Sequence, residues 1–581
     1  MKSLLALLPY LKKYKVRLLW GFVFVTMANA ASSFIPRVVG TAIDALGTPG
    51  FTMSTVFYYS LGVIGLTILS GVSMYMTRQT IIVTSRLVEY DLKNDFVEAI
   101  ERQTATFFSN NSTGSLMALS TNDIASVREF LGPAIMYSAN TIASFLFVLT
   151  LMLMVSPMLT LYALLPLPII ALTTYFVGQK VHLMYKIVQE QYSNLTTTAQ
   201  ESFSGAKVIR AYSRSDYESD VFAQESKKYV RQRLRLASWQ SSTMPLMIIL
   251  IGFAQIITLW YGGGLVIKGE ATLGTLTQFF IYIAQLIWPI AAVGWVTNLI
   301  QRGAASMERL TNVIHQKVDI QSLENATKTI QLGKIEFENV SLQYSPAMPK
   351  VLSNVTLTIP AGSSLGIVGA VGSGKSSFIS LIPRLYDVTT GEIRIDGVPL
   401  KQYDVEALRE QIGVVQQEPF LFSSTIADNI GMGGVGQYDL PTVQLASQQA
   451  QLHNDVLRFP EQYDTILGER GITLSGGQRQ RTAIARALIR NPKILIFDDS
   501  LSAVDTQTEE QILKMLEEVK KERTTIIISH RISAVKLTDT IVVLDKGVIV
   551  EHGTHEELLE LNGMYATMYT QQLLEEELDT Y

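Results

Sequence analysis

Six apolar stretches in the first half of the sequence restrict the folds that are open to this chain. Each is close to the ~20 residues that a helix needs to cross the hydrocarbon layer of a bilayer. A backbone inside lipid must satisfy its own hydrogen bonds, so such stretches form helices rather than loops or open sheets. We therefore predict six transmembrane helices, near Arg17–Val39, Val56–Ile82, Gly132–Val155, Leu159–Val181, Met244–Val266 and Leu276–Leu299.

The composition indicates a membrane part joined to a part of ordinary globular character. Of the 581 residues, 48% are hydrophobic and 17% are charged, which is too apolar for an ordinary soluble enzyme. The apolar excess lies before about residue 302. A net charge of −4 gives no reason to expect nucleic-acid binding. The sequence contains no cysteine, which excludes disulfides and thiolate chemistry, and no His, Asp or Glu cluster has metal-ligand spacing.

The first apolar stretch has two interpretations. Basic residues precede it at positions 12–17 and small residues follow at 28–30, as in a signal peptide with its cleavage site. The apolar residues continue to Val39, however, which is further than a signal peptide requires. We interpret the segment as a membrane helix that is retained.

The connections between the stretches alternate in length and charge. The first, third and fifth are short, whereas the second and fourth are long and rich in Lys and Arg. Because basic loops stay on the cytoplasmic side, we expect both termini and both long connections in the cytoplasm. Helical apolar spacing in residues 89–103 and 189–235 predicts that the spans extend beyond the bilayer, and turn residues cluster at 109–114 and 211–216.

Several uncharged polar residues interrupt the predicted spans, and two interpretations of them stay open. Such groups either hydrogen-bond neighbouring helices or line an amphipathic cavity for apolar substrates. The absence of a charged residue at mid-span argues against transport coupled to protons or other ions. The residues are Asn29, Gln79, Asn140, Gln255, Gln278, Gln285 and Asn298, together with Trp260, Trp288 and Trp295.

A glycine-rich segment in the second half predicts a phosphate-binding loop. GAVGSGKS, from Gly369 to Ser376, matches the P-loop pattern. It follows the strand-like SLGIV and precedes the helix-like SFISLI, which is the structural context that the pattern needs. In such a loop Lys375 would bind the β- and γ-phosphates of ATP, and Ser376 would hold Mg²⁺.

A second unit with functional elements follows about a hundred residues later. LSGGQ, from Leu474 to Gln478, opens a helical pattern that extends to Arg490, and a helix N-terminus favours anions. The apolar run ILIF then predicts a buried parallel strand, which ends in Asp498 and Asp499. Carboxylates at the C-terminal end of such a strand lie where α/β sheets place ligands.

The P-loop, LSGGQ, the strand with its aspartates and His530 in IIISHR occur in the order seen in ATP-binding cassette (ABC) ATPases. The upstream half resembles the membrane domain of an ABC exporter half-transporter, so the resemblance covers nearly the whole chain. It implies a transmembrane domain at 1–315, a linker at 316–330 and a nucleotide-binding domain at 331–581. The expected fold is an α-helical membrane domain plus an α/β P-loop cassette. The expected activity is ATP hydrolysis that drives transport.

The resemblance also implies roles for individual residues. Tyr344 would stack on adenine, Gln417 would contact Mg²⁺ or the attacking water, and His530 would contact the γ-phosphate. Asp498 would orient Mg²⁺, together with Ser376 and Gln417. The remaining contacts of this chain's own site would be Gly369, Gly372, Ser373, Gly374, Lys375, Ser376 and Ser377. Ser475, Gly476, Gly477 and Gln478 of LSGGQ would complete the ATP site of a second cassette, so the functional unit needs two. Asp505, at the end of the loop after the strand, is a further candidate contact with the nucleotide.

The resemblance also extends to the two predicted turns and to one short loop of this chain. The turns at 109–114 and 211–216 correspond to short coupling helices that dock onto the cassettes, although solvated turns would show the same residues. GERG, from Gly468 to Gly471, resembles a loop that contacts the membrane domain in exporters.

Asp499 departs from the family pattern, in which glutamate polarises the attacking water. Aspartate is one methylene shorter, and a displacement of about 1 Å can lower a rate ~10²-fold. We therefore expect one half of a heterodimer that exports apolar or amphipathic drugs across a bacterial plasma membrane, with a degenerate site in this chain. A lipid flippase, a homodimer that uses Asp499 as base and a catalytically silent regulatory subunit are the alternatives.

Overall fold

The computed structural model describes residues 2–48, 52–434, 438–468, 471, 473–499 and 523–579. The chain divides into two compact units. One comprises residues 1–101 and 113–316, and the other comprises residues 102–112 and 317–581. The short segment 102–112, which contains part of the first predicted turn, thus belongs to the same unit as the P-loop and LSGGQ.

The first unit is helical throughout its described residues. A 3₁₀ turn at Lys2–Leu7 precedes the helices, and π-helical turns at Arg78–Ile82, Leu119–Asp123 and Phe130–Ala134 join successive helices into longer ones. The helices are α1 (Leu8–Lys13), α2 (Lys15–Leu46), α3 (Met53–Thr77), α4 (Val83–Glu101), α6 (Thr113–Ala118), α7 (Ile124–Glu129), α8 (Ile135–Val155), α9 (Pro157–Leu164), α10 (Leu167–Ser204), α11 (Ala206–Ala211), α12 (Ser215–Ile267) and α13 (Leu273–Ile314); α5 (Ala105–Asn110) lies in the second unit.

Five helical stretches are long and apolar enough to cross a membrane, within the described residues. They are Lys15–Leu46, Met53–Glu101, Thr113–Val155, Ser215–Ile267 and Leu273–Ile314, and each contains one of the predicted spans. The remaining prediction, Leu159–Val181, is divided between α9 and α10 at Leu165 and Pro166. Proline has no backbone N–H, so Pro166 removes one bond of the helical ladder at this point.

The predicted turns in the two long connections occur close to where the pattern put them. The first long connection turns between Asn110 and Thr113, after the short helix α5, and the second turns at Ser213, after α11. Ser213 has a positive φ of 52°, which ends α11 and lets α12 begin at Ser215. Two six-residue helices thus lie next to the predicted turns.

The helices α2 and α13 touch through two glycines, Gly40 and Gly274. A Cβ atom on Gly274 would overlap the carbonyl oxygen of Gly40 and lie 2.5 Å from Asp44 Oδ2. Asp44 also caps α13, because its carboxylate accepts the Gly274 N–H at 2.7 Å and the Thr272 hydroxyl at 2.7 Å. Close backbone approach and a shared polar contact therefore hold this pair of helices together.

Gly274→Val should separate α2 from α13 and lower the thermal midpoint of the purified protein. Overpacking of a tight contact costs about 1–3 kcal/mol, and this variant also crowds the Asp44 cap. Gly263→Val is the matched control, since it makes the same change in a helix where a Cβ meets no atom of the described residues within 4 Å. Equal thermal midpoints for the two variants would contradict the close contact.

The second unit contains two sheets. Its strands are β1 (Ile335–Leu342), β2 (Leu352–Ile359), β3 (Ser364–Val368), β4 (Thr390–Ile395), β5 (Val398–Pro399), β6 (Ile412–Val415), β7 (Ile494–Asp498), β8 (Thr524–Ile528), β9 (Thr540–Asp545) and β10 (Val548–Gly553). A four-stranded antiparallel sheet has the order β2-β1-β4-β5. A six-stranded sheet has the order β10-β9-β3-β8-β7-β6, and it is parallel except for β10.

Ten α-helices complete the described part of this unit. Besides α5 they are α14 (Lys375–Leu381), α15 (Val405–Glu410), α16 (Ile426–Gly431), α17 (Leu440–Gln449), α18 (His453–Val456), α19 (Gly476–Leu488), α20 (Ile532–Val535), α21 (His555–Glu560) and α22 (Met564–Asp579). Two apolar cores form, one between the sheets, where Phe337 stacks on Phe378, and one beneath the six-stranded sheet around Ile484 and Leu495.

The six-stranded sheet brings distant motifs to one edge. β3, β8 and β7 are neighbours and parallel, so the segments that follow them leave the sheet on the same side. These segments are the P-loop after β3, His530 after β8 and Asp499 after β7. The three strands are almost wholly buried, which explains their continuous apolar sequences.

Candidate nucleotide-binding site

The P-loop has a backbone that only glycine allows at two positions. Gly369 and Gly374 have φ values of +153° and +104°. A Cβ atom on Gly369 would overlap the Leu544 carbonyl oxygen, and one on Gly374 would lie 2.9 Å from the Val351 carbonyl oxygen. The loop therefore curls tightly before α14, which is the shape that places backbone N–H groups around an anion.

Lys375 supplies a buried positive charge to this loop. Its side chain is only 7% exposed, and its Nζ donates hydrogen bonds to the carbonyl oxygens of Gly369 at 2.8 Å and Ala370 at 2.9 Å. Burial lowers the pKa of Lys375, while the carboxylates of Asp499 and Asp498 oppose that shift. The ammonium group is thus held at the loop, within a site that contains compensating negative charge.

Ser376 and Asp498 form the part of the site that suits a divalent cation. The Ser376 hydroxyl donates to Asp498 Oδ1 at 3.2 Å. Burial raises the pKa of Asp498, opposed by the Ser376 hydrogen bond, and the Asp499 carboxylate raises it further. A hydroxyl and a carboxylate are the hard oxygen ligands that Mg²⁺ prefers. Among the described residues no cluster of three or more His, Cys, Asp or Glu forms a protein-only metal site, so phosphate oxygens and water would complete the coordination.

Asp499 links the loops that follow β6 and β8. Its Oδ2 accepts a hydrogen bond from Gln417 Nε2 at 3.3 Å, and its Oδ1 accepts one from the His530 backbone N–H at 3.3 Å. The side chain is 6% exposed, and the backbone is fixed by a positive φ of 42° and by a bond from its N–H to the Ile528 carbonyl at 2.9 Å. Both carboxylate oxygens are therefore engaged by neighbouring loops.

Tyr344 lies beside the helix that follows the P-loop. Its hydroxyl is 2.8 Å from Ser377 Oγ, and its ring packs edge-on against Tyr386 with centroids 4.9 Å apart. The side chain is 37% exposed, so part of the ring is accessible next to the loop. The predicted stacking on adenine stays a prediction that this position permits.

LSGGQ begins α19, as the sequence pattern predicts. Ser475 caps the helix, because its hydroxyl accepts the Gln478 N–H at 3.3 Å while Gln478 Oε1 accepts the Ser475 N–H at 3.0 Å. This reciprocal pair fixes the start of a 13-residue helix whose opposite face packs into the core. The N-terminus of α19, with Gly476 and Gly477, thus stands as a rigid anion-favouring end.

The structure brings together most of the residues predicted for this chain's own site. Lys375, Ser376, Gln417, Asp498, Asp499 and the backbone of His530 form one connected network, and Gly369 and Gly374 form the loop beside it. Asp505 lies outside the described residues, and so do Glu469 and Arg470 of the predicted GERG loop.

Gln572 on α22 holds the backbone at His530 and was not predicted from the sequence. Its Oε1 accepts the Ile532 N–H at 2.8 Å, and its Nε2 donates to the His530 carbonyl oxygen. One amide therefore bonds the main chain on both sides of Arg531. Gln572 and His530 are 42 residues apart in the sequence. A glutamine in an amphipathic helix belongs to no motif, so only this contact identifies the role of Gln572.

Gln572→Ala should weaken ATP binding at this site up to about 30-fold and leave ADP binding unchanged, because the two hydrogen bonds that hold the main chain around His530 contribute about 1 kcal/mol each. Equilibrium binding of both nucleotides measures this. The adjacent, exposed Gln571→Ala is the matched control. In a His530→Ala background Gln572→Ala should add nothing, and an additive or ADP-sensitive loss would instead indicate general damage to the fold.

The sequence and the fold match known proteins over nearly their whole length. Residues 18–290 match the ABC transporter transmembrane region, and residues 352–502 match the family described as ABC transporter. The chain is 35% identical to the probable multidrug resistance ABC transporter ATP-binding/permease protein YheI of Bacillus subtilis (strain 168), over 97% of both chains. It is 34% identical to an ATP-dependent lipid A-core flippase of Syntrophus aciditrophicus (strain SB), over 98% of this chain and 94% of the relative.

A solved structure shows the same architecture. The structure of a bacterial Atm1-family ABC exporter with ATP bound matches with a TM-score of 0.81 and 25% sequence identity. The match covers 96% of this chain and 99% of the solved one. The helical unit and the α/β unit described above are therefore both matched by that one solved chain.

Proposed function

This chain belongs to the ABC transporter family, as an ATPase-coupled exporter with a membrane domain and an ATP-binding domain, and we propose that it exports apolar or amphipathic compounds as one half of a heterodimer. In this proposal its own ATP site turns over slowly. Its LSGGQ helix completes a faster site on a second half-transporter, which carries glutamate at the position of Asp499.

The network around the P-loop supports binding of ATP with Mg²⁺. Lys375 would exchange its two carbonyl bonds for phosphate oxygens, and Ser376 with Asp498 would hold the metal. Bound Mg²⁺ supplies positive charge that offsets the phosphates. Tyr344 would hold the base, and Gln417 and His530 would lie at the γ-phosphate end of the site.

The single observation that carries the slow-site proposal is the position of Asp499. A general base has to reach the water that it polarises, within about 2.6–3.2 Å. In this chain each carboxylate oxygen already accepts a hydrogen bond, one from Gln417 and one from the His530 backbone, and the side chain is one methylene shorter than glutamate. Asp499 is thus suited to join two loops around ATP rather than to activate water.

The two-part construction of an ABC ATP site supports a dimer, and the restrained Asp499 supports an unlike partner. Ser475, Gly476 and Gly477 lie at the N-terminus of α19, which favours a phosphate supplied from outside this chain. Two such cassettes would dock head to tail, so that each chain's α19 closes the other's P-loop. A chain with an intact LSGGQ and a restrained Asp499 is therefore suited to help a partner hydrolyse ATP more than to hydrolyse it alone.

A large cavity in the helical unit supports amphipathic substrates. Its volume is about 1170 Å³, and α10 and α13 line it with apolar side chains and a few polar ones, including Gln179, His182, Asn298 and Arg302. Drug-sized ligands occupy pockets of about 300–1,000 Å³ that are lined in this way. One relative named above is a probable multidrug transporter and the other a lipid flippase, so lipid movement is the second candidate.

The bias of basic residues supports cytoplasmic cassettes below a plasma membrane. Residues 102–112 belong to the same compact unit as the cassette, which supports a coupling role for the first turn. Binding of ATP would join the cassettes and turn the membrane cavity outward, and hydrolysis with release would reset it.

The experiment is ATP-driven transport by the complex that co-purifies with this chain from its native membrane. Reconstituted in vesicles, the complex should move an amphipathic dye against its gradient with ATP and stay inactive without Mg²⁺. Movement of a fluorescent phospholipid but of no dye would favour the flippase. Absence of movement of either, despite ATP binding, would contradict export and favour a regulatory subunit.

A further inference from the structure

A small polar pocket lies inside the helical unit, apart from the large cavity. Its volume is about 210 Å³, and it is lined by residues from α2, α3, α8 and α13. Asn29, Asn140 and Gln285 supply amide groups, and four serines supply hydroxyls. Trp288 and Met74 form part of the apolar wall, and the Trp288 side chain is 61% exposed.

The amides in this pocket are only partly used by the protein. Asn29 Nδ2 donates to the Val25 carbonyl at 2.8 Å and to Asn140 Oδ1 at 2.9 Å, which uses both of its N–H groups. Gln285 Nε2 donates to the Ser32 carbonyl at 3.2 Å. No other hydrogen bond of Asn140 or Gln285 is formed with any part of the chain that the structure describes. Asn140 thus keeps its Nδ2 donor, and Gln285 keeps its Oε1 acceptor.

Contacts between helices account for Asn140 Oδ1 and Gln285 Nε2, but not for the other polar atom of each amide. Gln278 shows the purely structural alternative, since its amide is buried and donates to Tyr282 on the same helix at 2.9 Å. Asn140 and Gln285 instead leave a donor and an acceptor at a pocket within an apolar domain, where an unsatisfied polar group is costly. A polar occupant that offers both an acceptor and a donor would satisfy them.

The lining also selects the charge of that occupant. Among the described residues that line the pocket there is no Asp, Glu, Lys, Arg or His. A charged group would lose its hydration there without gaining an opposite charge, which is expensive at low dielectric. The pocket therefore suits a neutral group, and its volume suits a head group with ordered water rather than a whole drug.

We propose that this pocket binds the neutral, hydrogen-bonding head of an amphipathic substrate, such as a primary amide. The head would accept from Asn140 Nδ2 and donate to Gln285 Oε1, while the apolar body lies along Trp288. The role of this subsite in transport rests on the proposed export function. Binding without nucleotide tests the subsite by itself.

The test uses three dansyl-labelled dodecyl probes of equal chain length. One ends in a primary amide, one in an N,N-dimethyl amide and one in a trimethylammonium group. Binding to the purified complex in nanodiscs is followed by energy transfer from tryptophan. The unmodified complex should bind the primary amide about five- to tenfold more tightly than the cation, since one or two hydrogen bonds contribute at this scale.

Two variants assign the hydrogen bonds. Asn140→Leu should weaken binding of both amide probes about fivefold, because both amides accept. Gln285→Leu should weaken only the primary amide, since the dimethyl amide has no N–H to donate. Neither variant should change binding of the cation. Gln255→Leu is the matched control, because it makes the same change in α12, outside this pocket.

The outcomes separate the subsite from the export function. Equal binding of the amide and the cation by the unmodified complex, or equal losses for all probes in both variants, would overturn the subsite. The comparison of probes on the unmodified complex stays decisive if a variant fails to fold. Predicted binding without ATP-driven movement would overturn export alone, and movement without probe selectivity would overturn the subsite alone.

Discussion

Lys375→Ala should lower the affinity of this chain's own site for ATP by about 100-fold or more. Charge-assisted hydrogen bonds to phosphate contribute up to about 3 kcal/mol, which corresponds to that factor. The loss of ATP affinity should be larger in this site, because Lys375 is a buried cation beside the carboxylates of Asp498 and Asp499. Without it, two carboxylates would face the triphosphate. Equilibrium binding of ATP to the purified chain measures the effect.

The control for this variant is Lys350→Ala, which removes the same charge from an exposed position of the same unit. Lys350→Ala should bind ATP with the parental affinity. Loss of the Lys375 side chain leaves the Gly369 and Ala370 carbonyl oxygens without their ammonium donor. The thermal midpoint measured without nucleotide therefore shows whether Lys375→Ala still folds. Parental ATP affinity in a folded Lys375→Ala protein would contradict any role for this P-loop.

Asp499→Asn should leave the steady-state ATPase of the complex within about twofold of the parent, whereas removal of the partner's glutamate should reduce it by ~10²–10⁴-fold, the usual contribution of a general base. Asparagine can still accept the His530 N–H, and Gln417 can turn its amide to accept from the new Nδ2. The bridge between the two loops then survives the loss of the carboxylate.

Asp499→Ala and Asp499→Glu sharpen this comparison. Alanine removes both hydrogen bonds, so a bridging role predicts that Asp499→Ala weakens ATP retention much more than Asp499→Asn. A catalytic base predicts equal and large losses in the two variants. Glutamate restores the family's residue and should raise turnover at this site, provided that the partner's LSGGQ helix permits closure of the site.

The local motifs were predictable from the sequence because each depends on neighbouring residues. The P-loop, the capped start of α19 and the buried strand β7 all follow from short patterns of glycine, capping and apolar residues. The fold of the second unit follows from the same patterns. The predicted span at Leu159–Val181 is less simple, since the effect of Pro166 on an apolar run depends on how the neighbouring helices pack.

The contacts that join the motifs could not be predicted in this way. Gln417 and Asp499 are 82 residues apart, and Asn29 and Asn140 are 111 apart. Composition alone cannot tell a buried amide that bonds within its own helix, such as Gln278, from one that leaves a group open in a pocket, such as Asn140. Only the three-dimensional arrangement separates these two roles.

The proposed heterodimer, with a slow ATP site in this chain and a faster one on its partner, is tested most directly by steady-state ATPase activity. The measurement compares this chain alone with the complex that contains its partner. We expect little activity for the chain alone and substrate-stimulated activity for the complex, with ATP retained at this chain's P-loop over many turnovers. If the chain alone forms a homodimer with full, substrate-stimulated ATPase that Asp499→Asn destroys, then Asp499 is a working base and the account is wrong.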